Sequence, residues 1–125
     1  MVDNEPLLLA ISEIGGYPNF TPLYESLGYQ VMTETSMRKV LKLLKKITPQ
    51  VVVAEFNYQS DFRDRTSSLE SMMSVIQRNP ETKVVIFYDN EHKAQLSKLE
   101  ARYVLSKTLS FPILEADLER AITEL

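Results

Sequence analysis

Four places in the chain set a chemically active side chain at the end of an apolar run. Val51-Val52-Val53-Ala54 leads into Glu55, Leu7 to Ile11 into Ser12-Glu13, Val84 to Phe87 into Tyr88, and Tyr103-Val104-Leu105 into Ser106-Lys107. Carboxylates, hydroxyls and an ammonium are groups that hold a hard cation or stabilise an anion. A carboxylate placed as Glu55 is can receive a phosphoryl group, imitate one, or do neither. The run before it reads as a strand buried on both faces, as in a parallel sheet covered by helices. The carboxyl ends of such strands are where these sheets place their sites.

The elements that must position these groups alternate along the whole chain. Leu7 to Ile11 and the half-polar Tyr29 to Thr33 read as strands one and two. Between them, Thr21-Pro22 looks like an N-cap with proline in the first helical position, and Gly28 is a C-terminal stop. Gly15-Gly16-Tyr17-Pro18 forms a loop before that helix. Ser36 caps a second helix from about Met37 to Lys46, in which Met37, Val40, Leu41 and Leu44 recur at helical spacing. Val51 to Glu55 is strand three, followed by a polar loop from Asn57 to Arg65. A third helix from about Ser67 to Arg78 buries Leu69, Met72, Met73 and Ile76 and stops at Asn79-Pro80. Strand four is Lys83 to Tyr88, a fourth helix spans Glu91 to Ala101, and Tyr103-Val104-Leu105 reads as strand five. A closing helix from about Pro112 to Leu125 buries Leu114, Leu118, Ala121, Ile122 and Leu125.

Five strands alternating with five helices imply right-handed crossovers and an α/β three-layer sandwich. The economical topology is flavodoxin-like, a five-stranded parallel sheet in the order 2-1-3-4-5. In that order strands one and three flank the switch point, where Ser12, Glu13, Glu55, Tyr88 and Lys107 are expected to converge.

Composition narrows the function classes. The 125 residues suit one domain spanning 1–125, and 44% hydrophobic with 25% charged residues is a globular balance. With no Cys, there is no disulfide framework, zinc-thiolate site or thiol nucleophile. A formal charge of -3 offers no general attraction to nucleic acid or an anionic membrane. The apolar run after Asp3 and Glu5 is too short for a signal peptide or span, so a cytoplasmic location is expected. His92 is the only histidine, which argues against a metal centre or catalytic triad. Gly15-Gly16 lacks the spaced third glycine of a dinucleotide fingerprint. The second helix carries Arg38, Lys39, Lys42, Lys45 and Lys46 with no acid among them, either a solvated face or a docking patch for an acidic protein.

Three motifs carry a resemblance, over essentially the whole chain, to the receiver domain of two-component response regulators. Pro49 to Glu55 is similar to the strand bearing that family's phosphoacceptor aspartate. Ala101 to Lys107 is similar to its fifth strand, which ends in an invariant lysine. The run ending in Tyr88 is similar to the strand that usually ends in a serine or threonine. The resemblance implies phosphorelay signalling, with Glu55 as phosphoacceptor-equivalent, Ser12, Glu13, Tyr88 and Lys107 as its pocket, and Val104 as the switch-equivalent residue.

The departures point to an atypical receiver, or pseudo-receiver. Receivers hold Mg²⁺ with two consecutive acids after strand one together with the phosphoacceptor. Here that pair is Ser12-Glu13, which leaves Glu13 and Glu55 as the residual candidates for a metal, and no cofactor is expected. Glu55 carries an extra methylene, and misplacing a reacting group by about 1 Å costs on the order of a hundredfold in rate. In receiver families a glutamate there often imitates the phosphorylated aspartate, here through a pair with Lys107. Tyr88 is too large for the hydroxyl movement that accompanies switching, Val104 is not the usual aromatic, and the proline normally just after the acceptor is missing. The expected function is a regulatory domain acting by protein contact without phosphorylation, and not an enzyme. Its partner is a protein or a second copy, met through the face of the fourth helix, fifth strand and fifth helix, with His92, Lys93, Gln95 and Arg102. The alternatives are a working phosphoacceptor and, behind it, a small-ligand sensor on the same fold.

Overall fold

Residues 6–57 and 68–125 are described by a computed structural model of the chain. The strands are β1 (Leu7–Ile11), β2 (Gln30–Glu34), β3 (Val51–Phe56), β4 (Lys83–Tyr88) and β5 (Lys107–Ser110). The helices are α1 (Thr21–Ser26), α2 (Met37–Leu43), α3 (Ser68–Ile76), α4 (Lys93–Glu100) and α5 (Glu115–Thr123), with a 3-10 turn at Asn90–His92 before α4. All four strand pairings are parallel, and the order is β2-β1-β3-β4-β5. This is the flavodoxin-like topology expected from the alternation of elements. Among the described residues, no helix is long and apolar enough to cross a membrane.

The pleat sends alternate side chains to opposite faces, and β3 and β4 feed two cores. Val52, Ala54, Phe56, Val84, Ile86 and Tyr88 pack with Met37 and Val40 of α2, Leu69, Met72, Met73 and Ile76 of α3, and Leu96 and Leu99 of α4. Val51, Val53, Val85 and Phe87 pack on the other side with Leu23 and Tyr24 of α1 and Leu118 and Ile122 of α5. Every residue of β3 is buried, Glu55 included. Burial on both faces is what turns that run into a central strand.

Local signals hold with small shifts. Ser36 is the N-cap of α2 and accepts a hydrogen bond from Lys39 N–H. Gly28 follows α1 with φ 96°, the left-handed conformation that helix stops favour. The cap of α1 is Phe20 rather than Thr21 and makes no side-chain cap bond, while Asn19 Oδ1 accepts from Thr21 N–H at 3.0 Å. Helix α5 starts three residues later than Pro112, with Leu114 extended as its N-cap and 60% exposed rather than buried as expected.

The fifth strand is the substantial correction. Tyr103-Val104-Leu105 forms no strand; β5 begins at Lys107. Tyr103 N–H still bonds Leu99 O, closing the end of α4. Tyr103 and Leu105 turn inward against the core of α2, α3 and α4, while Val104 is 85% exposed between them. The alternation is that of a loop laid over the core.

Candidate functional site

Glu55 shares the face of Val51 and Val53 and is 2% exposed. The loop after β1 folds over it. Gly15 and Gly16 have φ 79° and 86°, a region in which a Cβ is strained, and this path brings two backbone amides to the carboxylate. Ile14 N–H donates to Oε1 and Gly15 N–H to Oε2, both at 3.1 Å. Tyr17 O–H donates to Oε2 at 2.5 Å, and Asn57 Nδ2 donates to Oε1 at 3.2 Å. Asn57 is two residues beyond Glu55, so the pleat returns its side chain to the same face. Each carboxylate oxygen therefore accepts from two donors, the complement of an ionised, acceptor-only group.

Aromatic packing fixes the tyrosine. The Tyr17 ring meets Phe87 edge-on at 5.2 Å, stacks on Phe20 at 6.3 Å and tilts against Phe111 at 5.7 Å. Burial, followed by the hydrogen bond to Glu55, pushes the Tyr17 hydroxyl above the usual phenol range, while a hydrogen bond with Ser12 acts in the opposite direction. Tyr24 is pushed the same way, by burial first and then by the charge that an ionised Tyr17 would carry.

Of the residues expected to converge, Ser12 is at this site. Its N–H bonds Glu34 O at 2.9 Å, and its hydroxyl lies 3.4 Å from where a Cβ on Gly15 would stand. Glu13 follows in the same loop, half-buried. Tyr88 is not brought to Glu55: it pairs with Phe56 in register and belongs to the opposite core.

No protein-family model and no curated protein sequence matches this chain. Solved structures do match. A response regulator receiver domain protein from Clostridium thermocellum superposes with TM-score 0.74 at 18% identity, over 95% of this chain and 92% of that one. The chemotaxis response regulator CheY4 of Vibrio cholerae gives 0.75 at 15% identity, over 96% and 98%. A response regulator receiver protein from Sinorhizobium medicae gives 0.72 at 17%, over 97% and 94%. The fold is that of receiver domains.

On this receiver fold, Lys107 opens β5 instead of ending it. Glu55 pairs with Phe87 and Phe87 with Leu109, whereas Lys107 pairs with Val85. The lysine is thus two strands across and two residues back, on the order of 10 Å and 7 Å respectively. Its ammonium bonds Glu124 Oε1 of α5 at 3.2 Å, so the expected Glu55 to Lys107 pair is not formed. The carboxyl end of β5 carries Ser110, and Phe111 beyond it continues the pairing through its N–H to Tyr88 O. Val104 lies before β5 and not at its level with Glu55.

Among the described residues, no group of three His, Asp or Glu is placed to hold a metal ion. Of the polar loop expected from Asn57 to Arg65, all but Asn57 lies outside the described residues. The groups that do surround Glu55, namely Ile14, Gly15, Tyr17 and Asn57, are not singled out by periodicity. The available signal was the adjacent glycine pair followed by a tyrosine, which marks a loop bent for close approach.

Proposed function

We propose that this chain is an atypical receiver domain, a regulatory module that acts through protein contacts and in which Glu55 is a fixed structural charge, not a phosphoacceptor. The observation that carries this reading is the set of four donors on Glu55. A phosphoacceptor must offer an oxygen lone pair to an incoming phosphoryl group, and a divalent cation must share that oxygen. Here N–H and O–H groups take both oxygens, and N–H dipoles point at the place a cation would need. This donor set fits no Mg²⁺, and Glu13 alone does not supply a cage.

The held state differs from one kept by a lysine pair. The loop after β1, not the fifth strand, is tied to the carboxylate, which leaves the α4, β5 and α5 face for a protein partner or second copy. That face offers exposed Lys93 and half-buried Gln95, whose Oε1 is buried with no donor among the described residues. A cytoplasmic location and the absence of catalysis go with this reading.

Incubation with acetyl phosphate and Mg²⁺ followed by intact mass measurement tests it. The expected result is an unmodified mass. A stoichiometric phosphoryl adduct that disappears in Glu55→Gln would overturn the reading in favour of a working phosphoacceptor. Alanine changes at Lys93 and Gln95 test the surface: if self-association and partner binding persist unchanged, the face is wrongly assigned.

A further inference from the structure

Helix α2 carries its charges against the rules for a stable helix. Arg38 and Lys39 lie in its first turn, where no acid is present, and the positive end of the helix dipole opposes cations there. Arg38 and Lys42 are four residues apart and Lys39 and Lys42 three apart, spacings at which like charges meet and destabilise. Only Lys42, in the last turn, is placed where the dipole favours it. Lys45 and Lys46 extend the run through the turn after the helix, so positions 38–46 hold five of the 14 Lys and Arg of a chain with 17 acids, and no acid of their own. A sequence that breaks local rules in this way marks a site with another use.

These side chains stand ready for a partner. All five residues are exposed, and among the described residues none of them forms an ion pair, whereas Arg102 pairs with Glu70 and Lys107 with Glu124. Glu34, the nearest acid before the helix in sequence, turns its Oε1 to Thr35 N–H at 2.9 Å and Ser36 N–H at 3.3 Å. At about 100° per residue the cations share the solvent side of α2, opposite buried Met37 and Val40, with half-buried Leu41 and Leu43 on its two borders.

Charge and reach select the occupant. Charges are screened beyond about 8 Å at physiological salt, and α2 is about 10 Å long, so the patch acts on a short anionic stretch. A long polyanion or a membrane surface would also meet the net acidic remainder of the chain. Neither finds the contacts it uses. Helix α2 has no aromatic ring on which bases could stack, and the large apolar residues exposed on the described chain, Ile14, Val104 and Leu114, are not on it. We propose that the α2 face docks an acidic segment of a partner protein, its carboxylates on Arg38, Lys39, Lys42, Lys45 and Lys46 and its apolar side chains against Leu41 and Leu43. The surface is made by a different element from the α4, β5 and α5 face and does not depend on whether Glu55 accepts a phosphoryl group.

The test is an amide-resolved NMR titration of the full chain with four probes: an end-blocked peptide of Glu-Glu-Leu repeats, its Gln-Gln-Leu counterpart, a short oligothymidylate, and phosphatidylserine vesicles. The acidic peptide is expected to shift the amides of residues 36–47 and to bind on the order of tenfold more weakly at high salt than at low. The Gln peptide is expected to leave those amides in place. Arg38→Glu combined with Lys39→Glu puts acids where the dipole favours them, so the urea midpoint is expected to stay at or above that of the wild type. The same double change is expected to weaken binding of the acidic peptide about tenfold, the scale of reversing two exposed ion pairs. The proposal is overturned if the acidic peptide shifts none of these amides, if the Gln peptide shifts them as strongly, or if the double change leaves the affinity intact. Tighter binding of the oligothymidylate or the vesicles than of the acidic peptide, or shifts of these amides on concentrating the protein alone, would assign the face to another occupant and overturn it equally. A urea midpoint lowered by the double change would show that the cations serve the helix itself, and would overturn it too.

Discussion

The carboxyl end of β3 and the start of β5 each set one charge beside an apolar run, and the fold treats the two charges differently. Glu55 is 2% exposed and accepts four hydrogen bonds. The Lys107 side chain is 36% exposed and shares one ion pair with a 54% exposed Glu124. A buried charge must have its hydrogen-bonding capacity filled from the protein, whereas a half-exposed one is completed by water. The difference shows which residue organises its surroundings. A loop with two left-handed glycines and a tyrosine, together with Asn57 just beyond β3, is arranged around Glu55, while Lys107 adjusts to whatever lies near it.

If that contrast is right, the largest loss comes from removing the carboxylate. Glu55→Ala leaves two backbone amides, a phenol and an amide without their acceptor in a part-buried site. Unfilled buried donors cost about 1–3 kcal/mol each, partly recovered by relaxation, so the expected destabilisation is about 3 kcal/mol by urea unfolding. A loss no larger than that of a surface change would show that the loop does not depend on Glu55.

Tyr17→Phe retains the ring contacts and deletes one hydrogen bond to a charged group, an expected cost of about 2 kcal/mol. It also changes the response to alkali. The folded protein holds the Tyr17 proton above the usual phenol value of 10.0, so at high pH the unfolded chain is the one that ionises first. The associated stability is complete below about pH 10 and is lost as pH rises beyond it. Wild-type stability should therefore fall in that range, and Tyr17→Phe should flatten the fall in part, Tyr24 contributing the rest. Gly15→Ala acts on the backbone alone. Its φ of 79° is strained for any Cβ, which would otherwise meet Ser12 Oγ in ordinary contact at 3.4 Å. The expected cost is about 1–2 kcal/mol.

The same contrast explains what could be read beforehand. Strands β3 and β4 are buried on both faces, and a continuous run such as Val51 to Ala54 has few other places to go. Strand β5 is an edge strand of four residues, Lys-Thr-Leu-Ser, half-buried except for exposed Ser110. Nothing in it is as apolar as Tyr103-Val104-Leu105, and hydrophobicity without its pairing partner pointed four residues too early. Glu55 was legible as a strand-end acid for the reason β3 was legible. Its partner was not, because the contact from Tyr17 spans 38 residues and is made by a loop, which has no period to read. The glycine pair was visible as a turn, but only the structure relates that turn to the carboxylate.

The smallest expected effect comes from the other charge. Lys107→Ala removes an ion pair that is half in water, and such pairs contribute about 0–1 kcal/mol, screened further by salt. The expected change is about 0.5 kcal/mol, smaller in 1 M salt, with the amide spectrum of the Ser12 to Phe20 loop undisturbed. A loss near that of Glu55→Ala, or amide shifts in that loop, would mean that Lys107 reaches the β3 end in solution and that the two charges form one site after all.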